Sequence, residues 1–305
     1  MRKHIFRILI AIPLMLVVAV LLAWYGLLHT TAGAGWLLGV VQKQLPGTFS
    51  VDEPEGTLSS GLTLTNLRFM DDGMEAGAKR MEFVLVPGLL PPRLSIERPV
   101  IDKLTLWMEE ESDDSSTELP DSMALPIPVE IGELVINGLV YLAGNHEPQF
   151  HIQSVAASAT IHESLDLHRL QVDTGGIEAA AAGRLGLLHP FSMDLAFNAS
   201  GTLELEEEIG PLDIELSGNL GGDFTAYSLS SSGGVQNQLH GDYRFDLDAD
   251  GDLGRVDIDS LELESDSVDL TGSAKLDWRD ELDAELVLAA VQLDPSAWLD
   301  EWPQS

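Results

Sequence analysis

The chain has no cysteine among its 305 residues. That excludes disulfides and thiolate metal sites, and leaves the compartment open. Bases are scarce: 16 Lys and Arg stand against 50 Asp and Glu, for a net charge of −34. Three of those bases, Arg2, Lys3 and Arg7, lie in the first seven residues, which hold no acid. Residues 8–305 therefore carry thirteen bases against all fifty acids, a net of −37. That balance argues against nucleic acid or an anionic membrane surface as the partner of the bulk of the chain. It reads as a soluble, self-repelling face.

Motifs of catalysis are missing as well. There is no GxSxG, no Walker A sequence, no Rossmann glycine set and no zinc-helix motif. The eight histidines (4, 29, 146, 151, 162, 168, 189 and 240) show no metal-ligand spacing. The Glu204, Glu206, Glu207, Glu208 run reads as a solvated face. Neither enzymatic activity nor a cofactor is expected. The one metal-like pattern is Asp246, Asp248, Asp250, Gly251, which opens like an EF-hand loop. Its twelfth position is Asp257 rather than Glu, and its flanks read as strands rather than helices. A hairpin turn at Asp250-Gly251 flanked by solvent-facing acids accounts for it, so these three aspartates are at most a weak calcium candidate.

What is present begins with a basic start and the uncharged run Ile8 to Leu28. Its 21 residues match the ~20 that cross a bilayer core. Ile8, Leu14, Val18, Leu22 and Leu28 mark it as a membrane anchor. Trp24 and Tyr25 stand at its far end, where amphipathic rings favour the interface. The positive-inside rule keeps the basic start cytoplasmic and translocates the rest. A cleaved signal peptide, cut around Thr31-Ala32-Gly33-Ala34, is the competing reading, but the apolar run exceeds the 7–15 residues of an ordinary signal core. The anchor is assigned to 1–34. Leu37, Val40, Val41 and Leu45 at helical spacing predict a short amphipathic helix over 35–47, ending at Pro46-Gly47. It either plugs the near end of a sheet or continues the anchor.

From residue 48 the period is two, the signature of strands with one dry and one wet face. A first β segment covers 48–108, with Leu62, Leu64; Leu67, Phe69; Met81, Phe83, Leu85; then Leu94, Ile96, Ile101, Leu104, Leu106 and Met108. Residues 109–130 carry eight acids, four serines and three prolines without period, and read as a flexible acidic linker or loop. Alternation resumes over 131–305. It is clearest from Val256 to Ala290: Val256, Ile258; Leu261, Leu263; Val268, Leu270; Ala274, Leu276, Trp278; Leu282, Ala284, Leu286, Leu288. The stretches SGNLGGDF (217–224) and SSSGG (230–234) read as turns. Short gaps predict an antiparallel meander rather than helical crossovers. Ile177–Ala199 and Val268–Leu288 look like weak copies of one hairpin, which implies a stacked array.

LPG at 45–47, EGTL at 55–58, GLTLTNLRF at 61–69 and a strand–LL–strand around Leu89-Leu90 succeed one another in order. Together with the anchor, this combination resembles the amino-terminal region of the TamB family, the inner-membrane-anchored subunits of the translocation and assembly module, within the AsmA-like superfamily. The closing stretch LDWRDELDAELVLAAVQLDPSAWLDEWP resembles the family's repeat phrase, which ends in Trp-Pro. Family members are longer and end in a distinctive carboxy-terminal domain, so the chain reads as a fragment or an early-terminated homologue.

The expected fold is mainly β: a transmembrane helix, then an elongated, curled, mostly antiparallel sheet (a β-taco or groove) with an apolar inner face. About 250 residues at roughly ten per strand and turn give some 20–25 strands. A sheet that wide curls, making either a trough or, against a second sheet, a closed sandwich. Leu203, Leu205, Phe245, Leu247, Leu261, Leu263, Val268, Leu270, Leu276, Leu286 and Leu288 are the candidate groove residues. An acyl chain of about 15 methylenes costs on the order of 12 kcal/mol in water, at ~0.8 kcal/mol per CH₂. A continuous apolar lining removes that penalty at every step. The residues supply the lining. The resemblance implies the lipid: transport of phospholipid between inner and outer membranes, from a single-pass inner-membrane protein whose bulk is periplasmic. It also implies an outer-membrane partner, TamA or a related barrel, reached through a carboxy-terminal region. The alternative is a structural or chaperone-like tether in outer-membrane protein assembly with TamA, its apolar face being only core.

Overall fold

The computed structural model describes residues 25–44, 47–71, 73–109, 121–144, 147–203, 210–237, 241–266, 268–279 and 282–293. Of the anchor residues, Ile8, Leu14, Val18 and Leu22 lie outside this set, as does the groove candidate Leu205. No helix of the described residues is long and apolar enough to cross a membrane.

Among the described residues helix α1 (Thr31–Gln44) precedes sixteen strands. These are β1 (Thr48–Ser50), β2 (Glu55–Thr57), β3 (Gly61–Asp71), β4 (Met74–Leu89), β5 (Pro92–Met108), β6 (Val129–Ala143), β7 (Glu147–Ile161), β8 (Ser164–Asp173) and β9 (Ile177–Gly186). After them come β10 (Met193–Leu203), β11 (Leu212–Asp223), β12 (Ala226–Asn237), β13 (Gly241–Asp252), β14 (Arg255–Glu264), β15 (Val268–Asp277) and β16 (Asp283–Leu293). The chain forms two compact units, Met1–Ser115 with Glu130–His151, and Ser116–Val129 with Ile152–Ser305.

In the first unit the strand order is β1-β3-β4-β5-β6, with β2 also on β3. Thr30 caps α1: its hydroxyl accepts the Gly33 amide at 3.0 Å, the role a Thr plays ahead of an orphan amide. The helix starts at Thr31, four residues before the expected 35. It lies over the first strands, burying Ala34 with Leu58, Leu62 and Leu64. Two polar clamps hold it. The Ser59 amide and hydroxyl both donate to the Leu28 carbonyl at 3.1 Å, and Gln42 Nε2 donates to the Phe49 carbonyl at 2.9 Å. The helix thus packs on the apolar side of these strands.

The strand count is lower than the spacing implied, and the reason is local. Leu64 and Leu67 both reach one apolar cluster, yet both belong to β3. Asn66 between them is left-handed (φ 51°), so two successive side chains turn away and the phase slips without a turn. Lys103 (φ 55°) does the same between Ile101 and Leu104 in β5, and Gly138 (φ 76°) between Ile136 and Leu139 in β6. In β14 the ladder shifts between Ile258 and Leu261. Steps of three in the apolar pattern are irregularities inside long strands, not connections between short ones.

In the second unit strand order follows chain order from β7 to β16. The described pairings from β7 to β16 are antiparallel. Both suggested repeat segments are hairpins, β9–β10 and β15–β16. Three local expectations are corrected. The stretches 217–224 and 230–234 are not turns: they run through β11 and β12, and only Phe224-Thr225 turns between Asp223 and Ala226. Asp223 holds that turn by accepting the Thr225 and Ala226 amides at 2.7 and 3.1 Å. The β13–β14 turn falls at Leu253-Gly254, since Asp252 pairs with Arg255, so Asp250-Gly251 is ladder. Finally, part of the acidic linker is fixed in place. The Met123 amide donates to Leu187 O at 2.8 Å, Leu125 to His162 O at 3.0 Å, and Asp121 O accepts the His189 amide at 3.1 Å. This strap hydrogen-bonds to buried Leu187; Phe191 and Met193, just after it in sequence, are buried too, and Phe191 stacks on Phe224 at 5.6 Å.

Candidate functional site

Because successive strands pair in register, their alternating apolar residues line up into rows across the second unit. One row runs Leu195, Leu220, Leu229, Ala249, Ile258, Ala274, Leu286. The next runs Phe197, Gly218, Ser231, Leu247, Leu261, Gly272, Leu288, and a third runs Ala199, Leu216, Gly233, Phe245, Leu263, Leu270, Ala290. All lie on one face, by the two-residue period of the strands.

The glycines in these rows explain why glycine-rich stretches remain strand. A Cβ on Gly218 would stand 2.6 Å from Cζ of Phe197, and one on Gly233 2.8 Å from Cζ of Phe245. Each ring lies across the bare backbone of its neighbour, covering it as aromatic residues cover cross-strand glycines. Leu288 covers Gly272 in the same way, at 2.6 Å. The rings lie flat along the face instead of standing up from it.

The face is not covered by a second layer of described residues. Leu195, Phe197, Leu216, Leu229, Phe245, Leu247, Ile258, Leu261, Leu263 and Leu270 are all half-buried, whereas the interior of a closed sandwich is close-packed and dry. Toward β16 the exposure rises, to 63% at Leu286 and 53% at Leu288.

Seven of the sequence-nominated residues therefore meet across these three adjoining rows: Phe245, Leu247, Leu261, Leu263, Leu270, Leu286 and Leu288. Leu276 lies one row on, opposite Val256 and Ala284. Leu203 ends β10, opposite Leu212. Val268 is fully buried and presents no surface. Phe197, Leu229 and Leu195 belong to the face and were not nominated. For Leu229 the alternation Tyr227, Leu229 was the available signal, masked by the serines and glycines after it.

The opposite face is polar: Asp194, Asn198, Ser217, Asn219, Ser230, Asp246, Asp248 and Glu262 are exposed on it. Asp246, Asp248 and Asp250 are alternate residues of β13, about 7 Å apart along a strand, too widely spread for one ion. Among the described residues no group of three His, Asp or Glu forms a metal-ligand cluster. Titration is perturbed at the margins of the face rather than in it. The Arg279 guanidinium and amide hydrogen bonds hold Asp277 down at about 2. Burial, then the Asp252 charge, raises the Tyr227 phenol.

A family model described as TamB, N-terminal domain, matches residues 17–138 and 215–305. The chain belongs to the TamB N-terminal domain family. The matched residues take in α1, the first five strands and most of the apolar face from Leu216 to β16; β7 to β10 fall between the two matched segments. No curated protein and no solved structure gives a significant match.

Proposed function

We propose that the apolar face carries the acyl chains of phospholipid, and that the chain is an inner-membrane-anchored periplasmic carrier of phospholipid between inner and outer membranes, as a TamB-like protein. The supporting observation is the uncovered set of aligned rows around Leu247, Leu261, Leu263 and Leu270. An unpartnered apolar face is costly in water at roughly 25 cal/mol per Å², and exposed patches beyond a few hundred Å² mark interaction sites. Flat rings over glycines and apolar rows that recur from strand to strand suit a chain that slides. The acidic opposite face keeps the array soluble. The family implies the anchor, the periplasmic setting and engagement of TamA or a related barrel.

Leu263→Glu tests the reading. A carrier loses phospholipid transport while the protein stays folded and abundant, because a half-exposed position tolerates a solvated carboxylate. A core that only supports a tether to TamA loses the protein itself, since a buried unpaired charge is strongly destabilising.

A further inference from the structure

In the first unit, on the side of β3–β5 turned away from the α1 cluster, lies a depression of about 630 Å³. Among its lining residues are Asn66, Arg68, Lys79, Lys103 and Thr105. Register brings the two lysines together. Ala78 pairs with Leu104 and Arg80 with Asp102, so Lys79 stands opposite Lys103. Like charges directly opposite each other destabilise a ladder, and this chain sets only thirteen bases beyond its first seven residues against fifty acids.

The acids nearby already have partners, Glu75 within the lining itself. Glu75 pairs with Arg68 at 3.2 Å, Glu82 with Arg80, and Asp102 accepts a hydrogen bond from Asn137 Nδ2 at 2.8 Å. Neither Lys79 nor Lys103 has an ion-pair partner among the described residues. The left-handed backbone at Asn66 and Lys103 slips the phase of β3 and β5, and by doing so turns Asn66 and Lys103 away from the apolar cluster and into the depression with Lys79.

We infer that this depression binds a phosphate group, with Lys79 and Lys103 as paired point charges and Thr105 within the same lining, beside the mutually neutralised Arg68–Glu75 pair. A phosphate monoester or diester offers several acceptor oxygens between two ammonium groups and turns their mutual repulsion into attraction. The strongly negative remainder of the chain excludes long-range capture, so binding depends on close contact and weakens with salt. Phosphate binding here is independent of the carrier reading, because the depression faces away from the apolar cluster and needs no acyl lining.

The test uses the full chain in maltoside micelles and phosphate-free buffer. The probes are inorganic phosphate, glycerol 3-phosphate and a short-chain phosphatidylglycerol below its micellar concentration. Binding is followed by calorimetry, and amine acylation of individual lysines by mass spectrometry. At least one probe should saturate and protect Lys79 and Lys103 in the unaltered protein while leaving Lys275 on β15 reactive. K79A/K103A should weaken binding at least tenfold and K79R/K103R less than threefold. Equal binding of all three probes assigns the site to phosphate itself; binding of the phosphatidylglycerol alone assigns it to a lipid headgroup. No protection of either lysine by any probe, or unchanged affinity in a folded K79A/K103A protein, overturns the inference. The protection measurement requires no variant, so a misfolded double mutant does not shield it.

Discussion

At the scale of single residues, the pairing of rings with glycines decides the character of the face. Phe245 rests over Gly233 and Phe197 over Gly218, so residues that read as turn formers serve as floor. Gly233→Val would meet both the Phe245 ring and the Glu215 carbonyl, 2.3 Å from the added Cβ. It should cost about 1–3 kcal/mol by overpacking, read as a lowered midpoint in chemical denaturation. Gly73→Val at the β3–β4 turn should cost less from side-chain contact and more from its positive φ of 73°. Charge acts locally too. Arg279 lowers Asp277 to about 2, so the folded pKa lies below the unfolded one. The favourable contribution is fully present above the ordinary carboxylate range near 4 and is lost as pH falls through about 2. NMR titration of Asp277 should show that midpoint, and Arg279→Gln should return it toward the ordinary value. Ion pairs such as Arg68–Glu75, Arg93–Glu130 and Arg184–Asp166 are surface contacts, so none of these is expected to dominate stability.

At the scale of elements, α1 and the phase slips organise the first unit. Leu62 is 1% exposed beneath the helix, so Leu62→Ala should cost about 2–5 kcal/mol. The loss should appear as faster hydrogen exchange at the Ser59 and Leu85 amides, which hydrogen-bond across this joint at 3.1 and 2.7 Å. The alternation of Leu261 with Leu263 and of Phe245 with Leu247 was legible in the sequence, because period two is a property of the strand itself. The number of strands was not. A step of three between Leu64 and Leu67 looks like a turn, and neither Asn66 nor Lys103 is a glycine that would announce a left-handed backbone. The strap at 121–125 was hidden for another reason: its partners, His162 and Leu187–His189, are distant in sequence and hydrogen-bond through backbone atoms that carry no side-chain signal. The meeting of Lys79 with Lys103 likewise exists only once the register of β4 on β5 is known.

At the scale of the whole molecule, the division of labour between faces is the central claim. Exposed acids such as Asp246, Asp248 and Glu262 stand on one face of the second unit, and on the other the aligned Leu, Ile and Phe rows are left uncovered by described residues. If those rows carry lipid, adjacent residues of one strand must differ sharply, since Leu247 and Asp248 are neighbours in β13 that point to opposite faces. A photo-crosslinking amino acid placed in turn at Leu247, Leu270 and Asp248, in the full chain within the bacterial envelope, measures this directly. The account predicts phospholipid adducts at 247 and 270 and none at 248. Adducts at all three alike, or at none, would contradict it.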